Sequence, residues 1–284
     1  MVNGRYIGRG DSAKIYLGDA EVLRLHERRR QLDVDALALL DKQFARDPVP
    51  RDQRTQAHLF LLAEPLTPRS EMFLHKLHHQ GLLSVVSEGA YADEEVNRAL
   101  GRGTEFVPEL SSASEFSRRS AGAALSTLSL RSDRTVDPSS SYRPEDIVEL
   151  EVSEDGAVRI MMGRLSYTGT SGAVLFDIAA VIYVRRLIGL LRKISEASGY
   201  LGGWALAVGA IGLSGLASAD IRPYQAQHFE NDTYARATAA SYADLGSRPG
   251  TVADQLVGRF LRKLGTHARY AKHLSNPPAE DSDD

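Results

Sequence analysis

The chain has 284 residues, of which 43% are hydrophobic and 25% are charged, and none is cysteine. This composition suits a globular protein with a sizeable core, and the lack of cysteine excludes disulfides, thiolate metal sites and cysteine nucleophiles. The formal net charge of −3 excludes nucleic-acid binding through total charge, so any such contact must come from a local basic patch.

The N-terminal residues predict a strand and turn within residues 3–17, where Tyr6 and Ile7 are the apolar part. A helix with Asp19 as its N-cap follows, and a second helix is expected over residues 35–44, ending before Pro48. The chain does not begin with an apolar stretch typical of a signal peptide, so we expect a cytoplasmic protein.

The next elements alternate between strand and helix patterns. Residues 57–63 predict a buried strand, and residues 70–80 predict a helix that Gly81 ends. An acidic helix is expected to begin near Asp93. Residues 110–141 are rich in serine and predict a loop, with strand-like interruptions around residues 125–130.

The clearest pattern is a hairpin in which residues 147–152 and 158–162 alternate around an Asp-Gly turn. Glu149 and Glu151 fall on the face opposite the valines and leucine of the first strand. A nearly apolar helix is predicted over residues 172–198. The uncharged run 201–219 is dominated by small residues, which favours buried strands over a membrane span, so no membrane partner is expected.

The C-terminal segment predicts a helix over residues 251–274, with Thr251 as N-cap and Asp254 completing a capping box. Residues 276–284 are acidic and predict a disordered tail. The fold class we predict is α/β or α+β: a mixed sheet packed on a long central helix, with a small N-terminal strand–helix remnant.

Residues 3–30 carry a resemblance to a known family. The residues that match are Tyr6, Arg9, Gly10, Ser12, Lys14, Asp19, Glu21 and Arg28 to Arg30. They resemble the end of the Schlafen AlbA-type domain, a bacterial nucleic-acid-binding module whose closing strand reads aromatic-x-Arg-x-Gly-x-Ser/Thr. The stretch PGTVADQLVGRFLRKLG is similar to the uncharacterised C-terminal region of longer proteins that carry this module.

The resemblance implies a nucleic-acid contact, and basic side chains support it. Residues 1–30 hold seven basic and four acidic groups, and we expect the contact to use one set of them: Arg5, Arg9, Lys14, Arg28, Arg29 and Arg30. The family's earlier elements, with the acidic residues of its RNA-cleaving members, would lie upstream of Met1. The resemblance therefore implies either a fragment of a longer reading frame or a degenerate domain, without nuclease activity.

Candidate chemical groups elsewhere are few. His75, His78 and His79 are expected on one helix, where a spacing of four residues can hold a metal, but no HExxH motif accompanies them and we predict no metal site. Asp177 lies in an apolar stretch and needs a partner, for which Arg185 or Arg186 is the candidate. No catalytic triad or dinucleotide fingerprint is visible, and no cofactor is expected.

These patterns predict four segments: residues 1–32 as the AlbA-type remnant, 33–54 as a helical connector, 55–275 as an α/β domain, and the tail 276–284. The leading functional hypothesis is a non-enzymatic, nucleic-acid-associated or regulatory protein. The first alternative is a protein-interaction or scaffold domain whose partner is a missing N-terminal domain or a partner chain. The second alternative is an enzyme whose pocket no motif reveals.

Overall fold

The computed structural model describes residues 6–9, 14–17, 19–100, 107–131, 134–136, 143–169 and 172–275. Their strands are β1 Tyr6–Arg9, β2 Lys14–Leu17, β3 His58–Pro65, β4 Glu115–Arg119, β5 Gly122–Ser126, β6 Val148–Ser153, β7 Val158–Met162, β8 Ser166–Gly169, β9 Gly172–Leu175, β10 Gly203–Ile211, β11 Ala217–Ser218 and β12 Thr233–Ser241. Their α-helices are α1 Asp19–Ala45, α2 His79–Val85, α3 Glu94–Leu100, α4 Asp177–Ser198, α5 Tyr242–Ser247, α6 Pro249–Leu264 and α7 Ala271–Leu274.

A seven-stranded sheet organises the described residues. Its strand order is β12-β10-β3-β7-β6-β5-β4, and every neighbouring pair is antiparallel. A separate small sheet is mixed, because β11 and β9 are parallel whereas β9 and β8 are antiparallel. Strands β1 and β2 form a hairpin of their own. The α+β prediction is confirmed.

One face of the seven-stranded sheet carries the main hydrophobic core. Alternation along the strands points every second residue to this face, and apolar residues occupy these positions, as Leu61, Leu150 and Ile160 show. Leu187 and Leu191 of α4 belong to the same core, so α4 is the long buried helix that the sequence predicted. The glycine-rich run also forms a buried strand as predicted, because β10 lies between β12 and β3.

The opposite face is covered by the second half of α1. Leu40 is fully buried there in a second core with Phe60 and Ala207. Gly209 of β10 makes this packing close, because a Cβ atom at that position would lie 2.4 Å from the Phe44 ring. The rest of this face, toward β4, carries charged side chains.

The prediction of two helices between residues 19 and 44 was wrong, because α1 is one continuous helix. No glycine or proline interrupts this stretch of sequence, and the Gln31 amide donates to Asp35 Oδ1 at 2.8 Å across the expected break. The helix also crosses residue 32, where we placed a domain boundary. The four-segment division stays a prediction, and its tail lies outside the described residues.

The helix predicted over residues 70–80 was also wrong. Glu71 has a φ of 58°, which a helix does not allow, and only a 3-10 turn forms at Leu74–Lys76. Helix α2 begins at His79. Gly81 lies inside α2 and does not end a helix. A Cβ atom there would be 2.4 Å from the Lys76 carbonyl oxygen, so close packing requires this glycine.

Three further boundaries differ from the prediction. Part of the serine-rich loop is the β4–β5 hairpin, which extends the sheet. The predicted helix 172–198 begins with strand β9, and α4 starts at Asp177. The C-terminal helix starts at Pro249, two residues before the predicted N-cap Thr251, and Gly265 ends it with a φ of 76°. The acidic helix and the β6–β7 hairpin form as predicted.

Candidate ligand site on the charged face of the sheet

A group of charged side chains lies on the sheet face that α1 leaves uncovered. Alternation along β6 directs Glu149 and Glu151 to this face, and Arg159 of β7 is the register partner of Glu151. Arg119, at the end of β4, reaches the same surface and contacts Glu149. The sheet therefore brings together residues that are up to 40 positions apart in the sequence.

Glu149 holds two arginines. Its Oε1 accepts a hydrogen bond of 2.6 Å from Arg119 Nη2, and its Oε2 accepts one from Arg134. Arg134 lies in the segment that follows β5, and its Nη1 donates to the carbonyl oxygen of Arg46 at 3.2 Å. Glu149 thus joins β4, β6 and the segment that carries Arg134 to the end of α1.

Arg159 holds the other two glutamates. Its Nη2 donates to Glu64 Oε1 at 2.9 Å, and its Nη1 donates to Ser153 Oγ at 3.1 Å and Glu151 Oε1 at 3.4 Å. The second carboxylate oxygen of Glu151 lies 3.7 Å from Arg46 Nη2. Burial raises the pKa of the Glu64 carboxyl, and the Arg159 guanidinium opposes this rise.

We call this group the sheet-face cluster; its members are Arg46, Glu64, Arg119, Arg134, Glu149, Glu151 and Arg159. It holds four arginines and three glutamates, so its formal charge is +1. The Glu149 side chain is 2% exposed and that of Glu151 is 10% exposed. Buried charges of this kind are costly unless every polar atom has a partner. Glu151 Oε2 is buried and accepts no hydrogen bond from the described residues.

A cavity of about 610 Å³ adjoins the cluster. Cluster residues Arg46, Arg119, Glu151 and Arg159 line it. The other lining residues are Ser70, Glu71, Ser120, Ala121, Ser153, Glu154 and Asp155. Hydroxyls and charges of both signs therefore face this space.

Two backbone conformations at this site are unusual. Glu71 and Arg134 have φ values of 58° and 67°, and no other non-glycine residue in the described ranges has a positive φ. Such conformations are uncommon for residues with a Cβ atom, and they concentrate at functional sites. One of these residues lines the cavity and the other belongs to the cluster.

The basic residues predicted from the sequence lie elsewhere. We call β1, β2 and α1 up to Asp35 the arm. Arg9 and Lys14 are register partners on β1 and β2, and Arg28, Arg29 and Arg30 lie on α1; Arg5 lies outside the described residues. Arg28 and Arg30 are exposed, and Arg30 Nη2 lies 3.3 Å from Glu27 Oε1. Neither Arg28 nor Arg30 lines the cavity.

The interpretation of the histidines as one helical group was wrong. His75 lies in the 3-10 turn, His78 caps α2 by accepting from the Gly81 amide at 3.2 Å, and His79 begins that helix. Within the described ranges, no group of three or more potential ligands could hold a metal ion.

Asp177 is buried as expected, but its partners are not the predicted arginines. Its Oδ1 accepts a hydrogen bond of 2.8 Å from Ser218, and its Oδ2 accepts one from Thr266. Arg185 pairs with Asp93, and Arg186 lies 3.7 Å from Glu109. Because both partners are neutral hydroxyls, burial remains the largest influence on the pKa of Asp177 and raises it.

Sequence reasoning missed the sheet-face cluster. The alternation of Glu149 and Glu151 was recognised, but a polar strand face usually lies in water. A further signal was the presence of Arg159 in the paired strand, because opposite charges across two strands stabilise each other. The contributions of Arg46, Arg119 and Arg134 depend on tertiary packing and leave no local pattern.

Comparisons of the chain with protein-family models, curated proteins and solved structures find no match. The resemblance of residues 3–30 to the Schlafen AlbA-type domain gains no support from them and stays a prediction. Among the described residues, no helix is both long and apolar enough to cross a membrane.

Proposed function

We propose that this chain is a non-catalytic, regulatory binding protein whose sheet-face cavity holds a small charged ligand. The observation that carries the proposal is the junction of a buried ionic cluster with an open cavity. Small-molecule sites are typically concave spaces of several hundred Å³ with a few convergent polar groups. The cavity next to Glu151 and Arg159 has this size, and its lining is polar or charged except for Ala121, which suits a charged ligand and not an apolar one.

The energetics of the cluster support this proposal. An ion network in a protein interior is often no more stabilising than apolar residues of the same volume. Here the network faces a cavity and contains a carboxylate oxygen, Glu151 Oε2, without a hydrogen-bond donor among the described residues. A bound ligand would give this atom a partner, which accounts for charges at a position where a hydrophobic face would pack well.

The proposal of binding without catalysis follows from how the cluster is paired. Arginine keeps its proton throughout the physiological pH range, so it does not act as a general base. Glu149 is committed to Arg119 and Arg134, and Glu64 to Arg159. Ser153 accepts from Arg159, and this contact does not activate a hydroxyl as a nucleophile.

Calorimetric titration with inorganic phosphate and with malonate tests the proposal. We expect saturable millimolar binding to the wild type and about tenfold weaker binding to Arg46→Gln. Arg46 is suitable because its side chain is 44% exposed and its ion pair with Glu151 is long, at 3.7 Å, so its loss disturbs the cluster less than loss of a more buried arginine. The control is Arg51→Gln, an exposed arginine outside the cavity. Absence of saturable binding, or equal binding to Arg46→Gln, would contradict the proposal.

A second candidate function is nucleic-acid contact through the arm. Its support is that Arg24, Arg28 and Arg30 are exposed on α1, whereas Ala36 and Leu40, further along the same helix, are buried. Exposed arginines on one helix can neutralise phosphates and release counterions. The resemblance of residues 3–30 points in the same direction.

Fluorescence anisotropy with a labelled DNA or RNA duplex tests this second candidate. We expect binding at low salt that weakens as salt rises, and weaker binding by the Arg24→Gln/Arg28→Gln variant than by Arg51→Gln. The second candidate is wrong if neither duplex binds the wild type at low salt.

A further inference from the structure

We infer that the ligand of the sheet-face cavity is a small zwitterion. Its anionic group, a phosphate or carboxylate, contacts Arg46 and Arg119, and its ammonium group contacts the lining carboxylates. This inference rests on the proposed function, because it assigns the chemical class of the ligand in the same cavity.

Two arginines with unused hydrogen-bond donors are the proposed contacts of the ligand's anionic group. Both Arg46 and Arg119 line the cavity. The Arg46 guanidinium donates no hydrogen bond to any described residue, and its ion pair with Glu151 is long, at 3.7 Å. Arg119 uses Nη2 on Glu149, while its buried Nε has no partner among the described residues. A planar guanidinium matches the oxygens of a phosphate or carboxylate.

The charges of the sheet-face cluster also favour an anionic group on the ligand. The sheet-face cluster has one more arginine than glutamate, and the side chains of Arg119, Arg134 and Arg159 are at most 20% exposed. An excess positive charge in such a place lacks full hydration. The whole cavity lining carries three arginines and four carboxylates, so an anionic group is favoured only beside the arginines and needs a cationic group with it.

Carboxylates that face the same cavity are the proposed contacts of the ligand's ammonium group. Glu151 Oε2 is buried and lacks a donor, as described above, in a side chain that is nine-tenths buried. Glu71, Glu154 and Asp155 also line the space, and none of them forms an ion pair with a described residue. An ammonium group has three donors for such oxygens. These carboxylates should weaken the binding of a ligand with negative charge alone, such as phosphate or malonate, relative to a ligand that also carries an ammonium group.

Three probes separate the two ends of the ligand in calorimetric titrations: O-phosphoethanolamine, ethyl phosphate and ethanolamine. The first two differ chiefly in the ammonium group. We expect O-phosphoethanolamine to bind about tenfold more tightly than ethyl phosphate, and ethanolamine to bind more weakly than either. Arg46→Gln should weaken the binding of both phosphates.

Variants of the carboxylates test the ammonium contact. In Glu154→Gln/Asp155→Asn we expect O-phosphoethanolamine to bind about tenfold more weakly, while ethyl phosphate binds as tightly as before or more tightly. Glu196→Gln removes an exposed carboxylate of α4 outside the cavity and should change neither affinity. Thermal melting confirms that each variant is folded before its titration is interpreted.

The outcomes distinguish the inference from the proposed function. If ethyl phosphate or ethanolamine binds as tightly as O-phosphoethanolamine, the zwitterion inference is overturned and charged-ligand binding stands. The same holds if Glu154→Gln/Asp155→Asn keeps the wild-type preference. If none of the three probes binds, and phosphate and malonate also fail, both the inference and the proposed function are overturned.

Discussion

The backbone of Gly89 packs directly on Gly189 of α4. A Cβ atom at residue 189 would lie 2.2 Å from the carbonyl oxygen of Gly89. Gly89 belongs to a π-helical turn, Val86–Ala90, that follows α2. Two glycines facing each other therefore let this turn approach α4 at backbone distance, which fixes the segment between α2 and α3 against the central helix.

We expect Gly189→Ala to lower the free energy of unfolding by about 1–3 kcal/mol, because the new methyl group meets a backbone atom that has little freedom to move. The control is Gly246→Ala in α5, where the nearest atom to an added Cβ lies 4.0 Å away and alanine favours the helix. Urea denaturation of both variants measures the difference. The packing argument is wrong if the two variants are equally stable.

Asp177 predicts a pH dependence of stability. Because burial raises its pKa in the folded protein, the native state holds this proton more tightly than the unfolded chain does. The contribution of Asp177 to stability is therefore greatest at acidic pH and is lost as the pH rises above about 4. Asp177→Asn lacks this titration, so its unfolding free energy relative to the wild type should increase between pH 4 and pH 7.

Ser218→Ala provides the matched variant for this pH series. It removes the hydroxyl that donates to Asp177 Oδ1, a bond that lowers the pKa of Asp177. The pH-dependent loss of stability should then be larger than in the wild type. Parallel pH curves for the wild type and Asp177→Asn would show that Asp177 does not titrate differently in the folded and unfolded states.

The backbone conformation of Glu71 lowers stability, whereas its carboxylate is expected to contribute to ligand binding. Its φ of 58° strains any residue with a Cβ atom, whereas glycine adopts this conformation freely. We expect Glu71→Gly to raise the free energy of unfolding by about 0.5–1 kcal/mol and to weaken O-phosphoethanolamine binding. Glu71→Gln keeps the strain and removes the charge, so it should weaken binding without added stability. Equal stability of the two variants would contradict the strain argument.

Elements that local sequence patterns specify could be predicted, whereas elements that depend on contacts between distant segments could not. Strand β3, the β6–β7 hairpin and α4 follow from alternation, turn residues and apolar periodicity, and these are local signals. The helix predicted at residues 70–80 failed in a segment that is tied to the β6–β7 turn, where the Phe73 amide donates to the Glu154 carbonyl oxygen at 2.9 Å, a contact that no local pattern shows. Most of strand β5 was missed because glycine and alanine give a weak strand signal, although they let β5 lie close against β6: a Cβ atom at Gly122 would lie 2.3 Å from the Val152 carbonyl oxygen.

The candidate site shows the same limit. The alternating glutamates of β6 could be predicted, but their burial depends on Arg119, Arg134 and the end of α1, which reach them only in the folded chain. Clusters of basic residues in the sequence directed attention to residues 5–30. The arginines that converge on one surface are instead dispersed, one on each of several elements.

Glu149 is the carboxylate that holds two of these arginines together on the sheet face. It accepts hydrogen bonds from Arg119 and Arg134 with a side chain that is 2% exposed. In Glu149→Gln one carboxylate oxygen becomes an amide donor that points at a guanidinium, and two partly buried cations lose their counter-charge. We expect a loss of about 3–5 kcal/mol in the free energy of unfolding, whereas Glu27→Gln breaks the exposed pair with Arg30 and should change stability little. Chemical denaturation of both variants decides whether Glu149 neutralises the sheet-face cluster; equal stabilities would mean that water screens the arginines without it.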